Sequence, residues 1–563
     1  MRSRTRLSPF AIRGLMLDVS RQIERHEFYF SLLDHLARWG FNTLWWHFAD
    51  DQGFHLKLDS HPEIASPFAF TKEEMRRLVR KAEHLGLDVV PEVESLGHGR
   101  FITRLPQYAH LADGDTTHFN AVCPSRPETA KLLGEIIEEV ASIFPSPYFH
   151  AGLDEVNFGG CPRCRRRGRG RPEWWIYAQH TLAIHDIVTR NCGKRMIIWA
   201  DHIERQPAML KVLPKDIIMT QWQYDELRLD AFARSTRAGF QSIAAPALCH
   251  HSDLVHPNAQ NFRNMDDMVT AVAKMGRRKV LGIVNTWWTS WRGLRDAYLP
   301  AVAYTGRMLT AGRPLDKVKT MAWFAEDFFG LPEGEAGQRR GRRVGRDDER
   351  ESLKLSASSA SSALSATSVG RAIWRLHEQV LQGEREMSLT WASPLAMHVA
   401  AQVAEEPGFA ARKNIVDDCL AVLKAAAGNV RRNRPAFNAL VLAARIDAFG
   451  LQGAADAKEL YRLLANAEGR WCRGADLRPN RDYIARFLAR RLRVAQRLCR
   501  QADREWDRTR FADDPNKFGD DGRGSLDRPC YWDAMLGKLH RHRAYLARLI
   551  DDMGLLSPCF AAK

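Results

Sequence analysis

Short runs of β-branched and aromatic residues alternate with longer helical patterns from Arg13 to about Thr310. This alternation is typical of repeated βα units and a parallel sheet. Eight such units suit a closed (β/α)8 TIM barrel. An open doubly wound sheet is the alternative, although no Gly-rich phosphate loop follows the first strand. The eight predicted strands are 14–19, 43–48, 87–93, 148–151, 196–199, 217–221, 241–245 and 280–285.

The pattern changes after Leu331. Residues 333–350 are rich in Gly, Arg and acids, and residues 356–368 are almost entirely Ser and Ala. Beyond Arg371 the chain is poor in strand-forming runs, and an apolar stripe at helical spacing indicates a helix. We therefore expect a catalytic (β/α)8 barrel at 8–315, a linker or disordered insertion at 332–370, and a mostly α-helical C-terminal domain of unknown role at 371–563.

Composition excludes a chain that is disordered throughout, because 45% of its 563 residues are hydrophobic and 27% are charged. No apolar run approaches the roughly 20 residues that a membrane-spanning helix needs. The first residues lead into a strand-like segment with Arg13 and Asp18 instead of an apolar signal core. These features predict a cytoplasmic protein without a membrane partner.

The chain carries 83 Lys and Arg against 67 Asp and Glu, a net charge of +16. Arg clusters at 165–171 and 339–346 invite a nucleic-acid hypothesis, but no recognition motif or interleaved aromatic residues accompany them. Solvated loops are the favoured interpretation. Cys161 and Cys164 have the spacing of metal ligands, yet no second pair completes a site and the neighbouring arginines would repel a cation. A turn with free thiols is predicted there.

Charged and polar residues gather where the predicted strands end. In a βα barrel the active site lies at the carboxyl ends of the strands, so this placement favours an enzyme over scattered surface charge. The first four strands supply Asp18 and Arg21, then His47 with Asp50, Asp51 and Gln52, then Glu92, Glu94 and His98, and finally Asp154 with Glu155.

Asp154 and Glu155 are two consecutive carboxylates directly after a predicted strand with small residues. A lone pair of this kind more often caps the next helix. Two acids at a rim can also divide the labour of glycoside cleavage, one protonated and one ionised. An ordinary retaining glycosidase places its two acids on different strands, about 5 to 5.5 Å apart. An adjacent pair instead suits a substrate whose own 2-acetamido oxygen is the nucleophile.

Four segments stand out at successive predicted strands: Arg13-Gly-Leu-Met-Leu-Asp-Val-Ser-Arg21, Trp46-His-Phe-Ala-Asp-Asp-Gln-Gly53, Pro91-Glu-Val-Glu-Ser-Leu-Gly-His98 and Gly152-Leu-Asp-Glu155. In this order they resemble the motifs of glycoside hydrolase family 20, the β-N-acetylhexosaminidases. Within that family the Gly97-His98 context and the absence of a signal and an N-terminal domain look most like the hexosaminidase D branch. The resemblance covers about the first 310 residues.

The resemblance implies an exo-acting retaining enzyme that releases terminal β-linked GlcNAc or GalNAc from a glycan or glycoconjugate by substrate assistance. Glu155 would be the general acid and later the base, and Asp154 would hold the acetamido N–H. No metal or organic cofactor is implied, because the acetamide supplies the nucleophile. Binding roles are expected for Arg13 at the sugar hydroxyls, His98 with Asp50 or Asp51 behind Glu155, Trp199 and Trp288 in the walls, Tyr224 at the acetamide oxygen, and His47 and Trp222 nearby.

Three departures from the family pattern leave alternatives open. Glu94 stands where Asp is usual, Ser290 stands near the position of an expected acid, and residues 246–250 lack an expected aromatic. The chain could therefore be a sugar-binding barrel with impaired catalysis. A polyanion-binding protein that uses the basic C-terminal half is a further alternative. The tryptophans could also fill the barrel, and His47 and His98 could be ordinary core histidines.

Overall fold

The computed structural model describes most of the chain. The described residues are 8–114, 121–156, 160–249, 256–288, 293–333, 365–379, 393–471, 478–511 and 535–555. None of the helices in these ranges combines the length and the apolar composition needed to span a bilayer.

Eight parallel strands close into a barrel, as predicted. The first strand pairs with both the second and the last, which closes the cylinder, and each other strand pairs with its neighbours in chain order. The open-sheet alternative is therefore wrong. The strands are β1 (Ile12–Asp18), β2 (Thr43–His47), β3 (Asp88–Glu92), β4 (Tyr148–His150), β5 (Arg195–Trp199), β6 (Ile218–Trp222), β7 (Gln241–Ala245) and β8 (Val280–Trp287).

Alternation along each strand separates the barrel interior from the layer beneath the helices. Trp45 in β2 belongs to the interior cluster, whereas Trp46 packs outward under the helices and His47 points inward again at the strand end. The interior cluster combines Ile12, Met16, Trp45, Val90, Ile197, Trp199, Ile218, Ile243, Ala245 and Val284. Above this plug, at the carboxyl ends of the strands, polar residues such as His47 and Glu92 occupy inward positions.

Helices follow the strands and cover the barrel. Thr71 begins one of them with a capping box, since its hydroxyl accepts the Glu74 N–H and the Glu74 carboxylate accepts the Thr71 N–H. The barrel helices are His26–Trp39, Lys72–His84, Arg100–Thr103, Pro127–Ala141, Pro162–Arg167, Trp175–Asp186, Asp201–Arg205, Leu229–Arg237, Ala259–Val272, Leu299–Ala311 and Lys317–Phe329.

The C-terminal region is helical in its described parts, as predicted. Its first helix begins at Ala366, before the expected end of the linker, and residues 334–364 of that linker lie outside the described ranges. Leu294 and Ala297 of the barrel share one apolar cluster with the last three helices. The two halves therefore pack on a common core. The C-terminal helices are Ala366–Gln379, Pro394–Val403, Phe409–Ala426, Arg434–Trp471, Arg478–Thr509 and Met535–Leu555.

A buried ion pair joins the C-terminal half to the carboxyl-end face of the barrel. Arg510 is fully buried, and its Nε donates to Glu24 Oε1 at 3.0 Å in the loop after β1. The same guanidinium donates to the Gly293 carbonyl oxygen beyond β8 and lies over the Trp506 ring. Burial raises the pKa of Glu24, an effect that Arg510 opposes. One side chain from the helical half therefore holds two loops at the barrel rim.

Removing this guanidinium is expected to destabilise the protein strongly. Arg510→Met leaves the Glu24 carboxylate buried without its closest cation, which costs about 3–5 kcal/mol in the free energy of unfolding. Urea denaturation followed by tryptophan fluorescence measures this loss. Arg25→Ala is the matched control, because exposed Arg25 contacts Asp507 and Phe511 on the same junction; it should cost less than about 1 kcal/mol. Equal losses in both variants would contradict a special role for Arg510.

Candidate active site

Asp154 and Glu155 lie on a left-handed turn directly after β4. Gly152, Leu153 and Glu155 have φ values of +66°, +78° and +46°. A non-glycine residue rarely adopts this conformation, and two within three positions require support from neighbours. The Gly152 site has no room for a side chain, since an added Cβ would lie 2.0 Å from Glu94 Oε2. The backbone therefore aims both acids in fixed directions.

Hydrogen bonds from three other segments hold this turn. Glu94 Oε2 accepts the Leu153 N–H at 3.2 Å, and the Tyr177 hydroxyl donates to the Leu153 carbonyl oxygen at 2.9 Å. Asp201 Oδ2 accepts the Glu155 N–H at 3.2 Å, and His202 Nε2 accepts the next N–H along the chain at 2.8 Å.

Sequence reasoning missed Tyr177, Asp201 and His202 as members of the site. Asp201 and His202 follow β5 directly, so the rule that strand ends carry chemistry could have found them. Tyr177 lies in a helix and stacks on the His202 ring at 4.9 Å, and nothing in its sequence context indicates this contact.

His98 connects the acid pair to a second pair of carboxylates. Its Nδ1 lies 3.2 Å from Asp50 Oδ1 and 3.5 Å from Asp51 Oδ2. Its Nε2 lies 3.5 Å from Glu155 Oε2 and 3.8 Å from Asp154 Oδ2. Burial favours the neutral ring, but the surrounding carboxylates outweigh it and hold the pKa of His98 well above its usual range. His98 is therefore a cation between two acidic pairs.

The same alternation of charge continues down into the barrel. His47 Nε2 lies 3.1 Å from Asp50 Oδ2, and His47 Nδ1 lies 3.3 Å from Glu92 Oε1. Burial opposes a charge on His47, but Glu92 and Asp50 prevail and raise its pKa to about 10. The Trp199 indole N–H donates to Glu92 Oε1 at 2.8 Å. Glu92, His47, Asp50, His98 and Glu155 thus form a chain of alternating acid and base, which we call the acid–histidine chain.

Asp154 and Glu155 differ in their affinity for a proton. Burial raises the pKa of Asp154 to about 7, although His98 opposes the shift. Burial would also raise the pKa of Glu155, but the hydrogen bond and the positive charge of His98 outweigh burial and lower the pKa of that carboxyl. Glu94 is buried beside Asp154, and both effects raise its pKa well above the usual range. At neutral pH Glu155 is therefore ionised, whereas Glu94 and Asp154 hold a proton more tightly than an ordinary carboxyl does.

Arg21 is a further residue of the site that is absent from the expected binding residues. Its Nη2 lies 2.6 Å from Asp50 Oδ2, its Nη1 donates to Asp18 Oδ2 at 3.0 Å, and its guanidinium lies 5.3 Å from the centre of the Trp288 ring. Its side chain is partly exposed at 17%. Arg21 is therefore a cation at the mouth of the pocket, on the same motif as Arg13.

Aromatic side chains lie at the same end of the barrel as the acids. Trp288 follows β8 and contacts His47 edge-on at 5.1 Å, and its indole N–H donates to the Tyr224 hydroxyl oxygen at 2.5 Å. Trp222 lies beside Tyr224 at the end of β6. Trp199 is fully buried beneath Trp288, with ring centres 5.9 Å apart. Trp288, Tyr224 and Trp222 are partly exposed at this end of the barrel, and Trp199 packs beneath Trp288 inside it.

Arg13 lies at the other end of the barrel, which corrects the expectation that it contacts a sugar. It is the second residue of β1, and its guanidinium donates to the carbonyl oxygens of Gly40 and Phe10 below the barrel. It also shares the outward face of β1 with Leu15 and Leu17. Five residues of strand, about 16 Å, separate it from Asp18 at the rim. Ser290, and His250 at the end of the range that lacks the expected aromatic residue, lie outside the described residues.

The fold and this face place the protein among (β/α)8 barrels with acids, histidines and aromatic rings at the carboxyl ends of the strands. Residues 10–292, half of the chain, match the model of the glycosyl hydrolase family 20 catalytic domain. The chain belongs to that family.

Known relatives and solved structures resemble parts of the chain. A β-hexosaminidase of Vibrio furnissii is 27% identical over 294 residues, which cover 46% of each chain. A β-hexosaminidase of Akkermansia muciniphila is 30% identical over 179 residues, covering 27% of this chain and 36% of the relative. The chain thus spans less than half the length of these relatives. The structure of a β-N-acetylhexosaminidase from Bacteroides fragilis is similar with a TM-score of 0.48, 20% identity and coverage of 57% and 72%.

Gly152 provides a test of the turn. Gly152→Ala forces a left-handed conformation on alanine, which costs about 1–2 kcal/mol, and also displaces the Glu94 carboxylate. Displacement breaks a buried hydrogen bond worth about 1–3 kcal/mol more. The matched control is Gly193→Ala, where φ is +63° and the added Cβ meets nothing within 4 Å. Thermal unfolding of the two variants should show the larger loss of stability for Gly152→Ala. The prediction fails if the two substitutions destabilise the protein equally.

Proposed function

We propose that the protein is an exo-acting retaining β-N-acetylhexosaminidase that uses the substrate's 2-acetamido oxygen as the nucleophile. The observation that carries the proposal is the adjacent pair Asp154 and Glu155 on a braced turn, with His98 within 3.8 Å of both carboxylates. Family membership supports the proposal, and so do the names of the relatives from Vibrio and Akkermansia. The expected substrate is a glycan or glycoconjugate that ends in β-linked GlcNAc or GalNAc.

In the first step the acetamide oxygen attacks the anomeric carbon and the glycosidic C–O bond breaks. Glu155 gives its proton to the departing oxygen, and the product on the sugar is a cyclic oxazolinium ion. Asp154 accepts a hydrogen bond from the acetamide N–H and stabilises the positive charge that develops there. We assign Tyr224 the role of donor to the acetamide oxygen, with Trp288 fixing its hydroxyl in place.

In the second step water attacks the same carbon and reopens the ring. Glu155, now ionised, takes a proton from this water, so the acid of the first step is the base of the second. Two displacements at one carbon leave its configuration unchanged. All the bonds that form and break lie on the substrate and water, and the protein only carries a proton and stabilises charge.

The protonation states of the acid pair must change when substrate binds. Before binding, the higher pKa belongs to Asp154, so the proton that the pair shares lies on Asp154. The reaction needs the reverse distribution. An acetamide N–H at Asp154 favours its ionised form, and a sugar that excludes water from Glu155 favours the protonated form there. Substrate binding itself therefore prepares the acid.

We propose that Arg21 and Asp18, and not Arg13, hold the outer hydroxyls of the sugar. Arg21 lies at the rim and its position is fixed by Asp18 and Asp50. A guanidinium can donate two hydrogen bonds to neighbouring hydroxyls. The face of Trp288 adds apolar contact to the sugar ring.

We keep the hexosaminidase D-like branch as a finer proposal that rests on the Gly97-His98 motif. Gly97 lets this loop approach the acid turn, since an added Cβ would lie 2.5 Å from the Asp154 carbonyl oxygen. The cytoplasmic location stays a prediction from the sequence.

The test of the reaction uses three substrates with different leaving groups and 2-substituents. Wild type should hydrolyse the nitrophenyl β-GlcNAc glycoside and a β-linked GlcNAc disaccharide, but not the nitrophenyl β-glucoside, which lacks the acetamide. Glu155→Gln should lower kcat on the disaccharide by about 10²–10⁴-fold and lower it less on the nitrophenyl glycoside, whose leaving group needs little protonation. Asp154→Asn should impair both GlcNAc substrates equally, because both require the acetamide.

Glu173→Gln is the matched control, an exposed carboxylate beyond the site that should leave all rates unchanged. A folded wild type that binds GlcNAc in calorimetry without hydrolysing any substrate would replace the proposal by the sugar-binding barrel. Steeply salt-dependent binding of a polyanion, without sugar binding, would favour the basic C-terminal half as the functional part.

The pH profile of kcat/KM follows from the shared proton. Above about pH 7 Asp154 loses it, both acids are ionised and no general acid remains, so kcat/KM should fall with an apparent pKa near 7. On the acid side it should fall as Glu155 is protonated while Asp154 is still neutral. Removing the Asp154 charge site in Asp154→Asn should shift the alkaline limb to lower pH, since Glu155 alone has a lowered pKa. An unchanged alkaline limb in that variant would contradict proton sharing.

A further inference from the structure

Three buried sulfur atoms and one carboxylate meet beside the barrel, outside the acid–histidine chain. The cluster consists of Cys123, Cys161, Cys164 and Asp113, and one ligand atom from each residue lies within 4.8 Å of all the others. Cys123 Sγ lies 3.3 Å from Cys161 Sγ and 3.6 Å from Cys164 Sγ. All four side chains are buried, with exposures between 0% and 9%. We propose that this cluster is a structural zinc site with a Cys3Asp ligand set.

The sulfur positions fit a tetrahedral metal ion better than a disulfide. Zinc–sulfur bonds of about 2.3 Å place tetrahedral sulfurs about 3.8 Å apart, near the separations observed. A disulfide needs about 2.05 Å and uses two sulfurs. Here Cys123 lies between two partners at similar distances, so any single disulfide would leave one thiol of the cluster unused.

Donor chemistry selects zinc among the common metals. Thiolates are soft ligands that disfavour Mg²⁺ and Ca²⁺, while the carboxylate oxygen of Asp113 is a poor ligand for Cu⁺. Iron–sulfur clusters are held by four cysteines, and this cluster has three. Zinc accepts both sulfur and carboxylate ligands and is four-coordinate in structural sites.

The backbone presents the ligands as a preformed pair of arms. In the first arm, Asp113 N–H donates to the Ala121 carbonyl oxygen and Cys123 N–H donates to the Leu111 carbonyl oxygen, which sets Asp113 and Cys123 side by side. In the second arm, the Cys164 N–H donates to Cys161 Sγ at 3.2 Å across the Cys-Pro-Arg-Cys turn. Such N–H donation stabilises a thiolate.

The arginines that follow the turn do not oppose a metal ion. Three thiolates, one carboxylate and Zn²⁺ carry a formal charge of −2, so nearby cations stabilise the loaded site. Arg167 donates to the Pro124 carbonyl oxygen at 2.8 Å, between the two arms. Arg165 donates to the Gly160 carbonyl oxygen. Both guanidinium groups donate to backbone carbonyl oxygens beside the cluster, so neither takes the position between the sulfur atoms that a metal ion would occupy.

The site would connect two loops on the carboxyl-end face of the barrel. Asp113 and Cys123 belong to the loop after β3, whereas Cys161 and Cys164 follow the acid turn after β4. Glu155 lies six positions before Cys161 in the chain. A metal ion at this place would fix the end of the segment that carries the acid pair, without contact with substrate.

Metal content of the purified full-length protein tests the proposal. Protein produced with zinc in the medium and freed of loose metal by gel filtration should contain about one zinc per chain by elemental analysis. Cys123→Ser and Cys164→Ser should each lower this content at least fivefold. Cys192→Ser is the matched control, a half-buried free cysteine outside the cluster, and it should retain the full equivalent.

A second measurement on the wild type does not depend on the folding of any variant. With zinc bound, the three thiols of the cluster should resist alkylation, and a chelator should make them reactive and lower the melting temperature by several degrees. Peptide mass spectrometry would identify the alkylated residues. Less than a tenth of an equivalent of zinc in folded wild type, or a disulfide between any two of the three cysteines, would overturn the proposal whatever the outcome of the activity tests.

Discussion

The acid–histidine chain is the constraint on which the active-site face depends. Two histidines that carry positive charge lie between carboxylates, from Glu92 inside the barrel to Glu155 at its mouth. A buried charge is costly unless it has a partner of opposite charge. Replacing any member of the acid–histidine chain by a neutral residue would therefore leave a neighbouring charge without that partner. Because His98 touches both pairs of acids, the loops after β2, β3 and β4 hold one another in place. The barrel positions the strand ends, and the acid–histidine chain sets the geometry of the side chains there.

Residues outside the acid–histidine chain also hold the acid pair in place. Tyr177, Asp201 and His202 bind backbone groups of the left-handed turn and leave the carboxylates of Asp154 and Glu155 directed elsewhere. This division of work explains how two adjacent residues can have different proton affinities. The turn sends Asp154 into a buried place beside Glu94, while Glu155 remains partly exposed beside His98. The backbone conformation of the turn thus places the two carboxylates in different surroundings, and these surroundings give them different pKa values.

Sequence patterns predicted all eight strands because each buried run is bounded by polar residues, and they placed His47, His98, Asp154 and Glu155 on one face for the same reason. The prediction for Arg13 is wrong, because a motif gives only the order of residues along the chain. The position of a residue in its strand decides at which end of the barrel it lies, and Arg13 stands at the amino end of β1. Arg21, eight residues further on, reaches the pocket. Tyr177 and Cys123 could not be predicted, since each meets its partners only through tertiary packing of distant segments.

The junction at Arg510 also bears on where this molecule can be divided. The sequence pattern predicts a boundary near residue 315, and the match to the family model ends at residue 292. The physical unit is larger, because Arg510 neutralises Glu24 and the terminal helices cover Leu294 and Ala297. A fragment cut after the barrel would leave Glu24 without its closest cation and would expose an apolar patch at Leu294 and Ala297. The barrel and the terminal helices share an apolar cluster and a buried ion pair, so a substitution in those helices can disturb the rim of the barrel without lying near the acids.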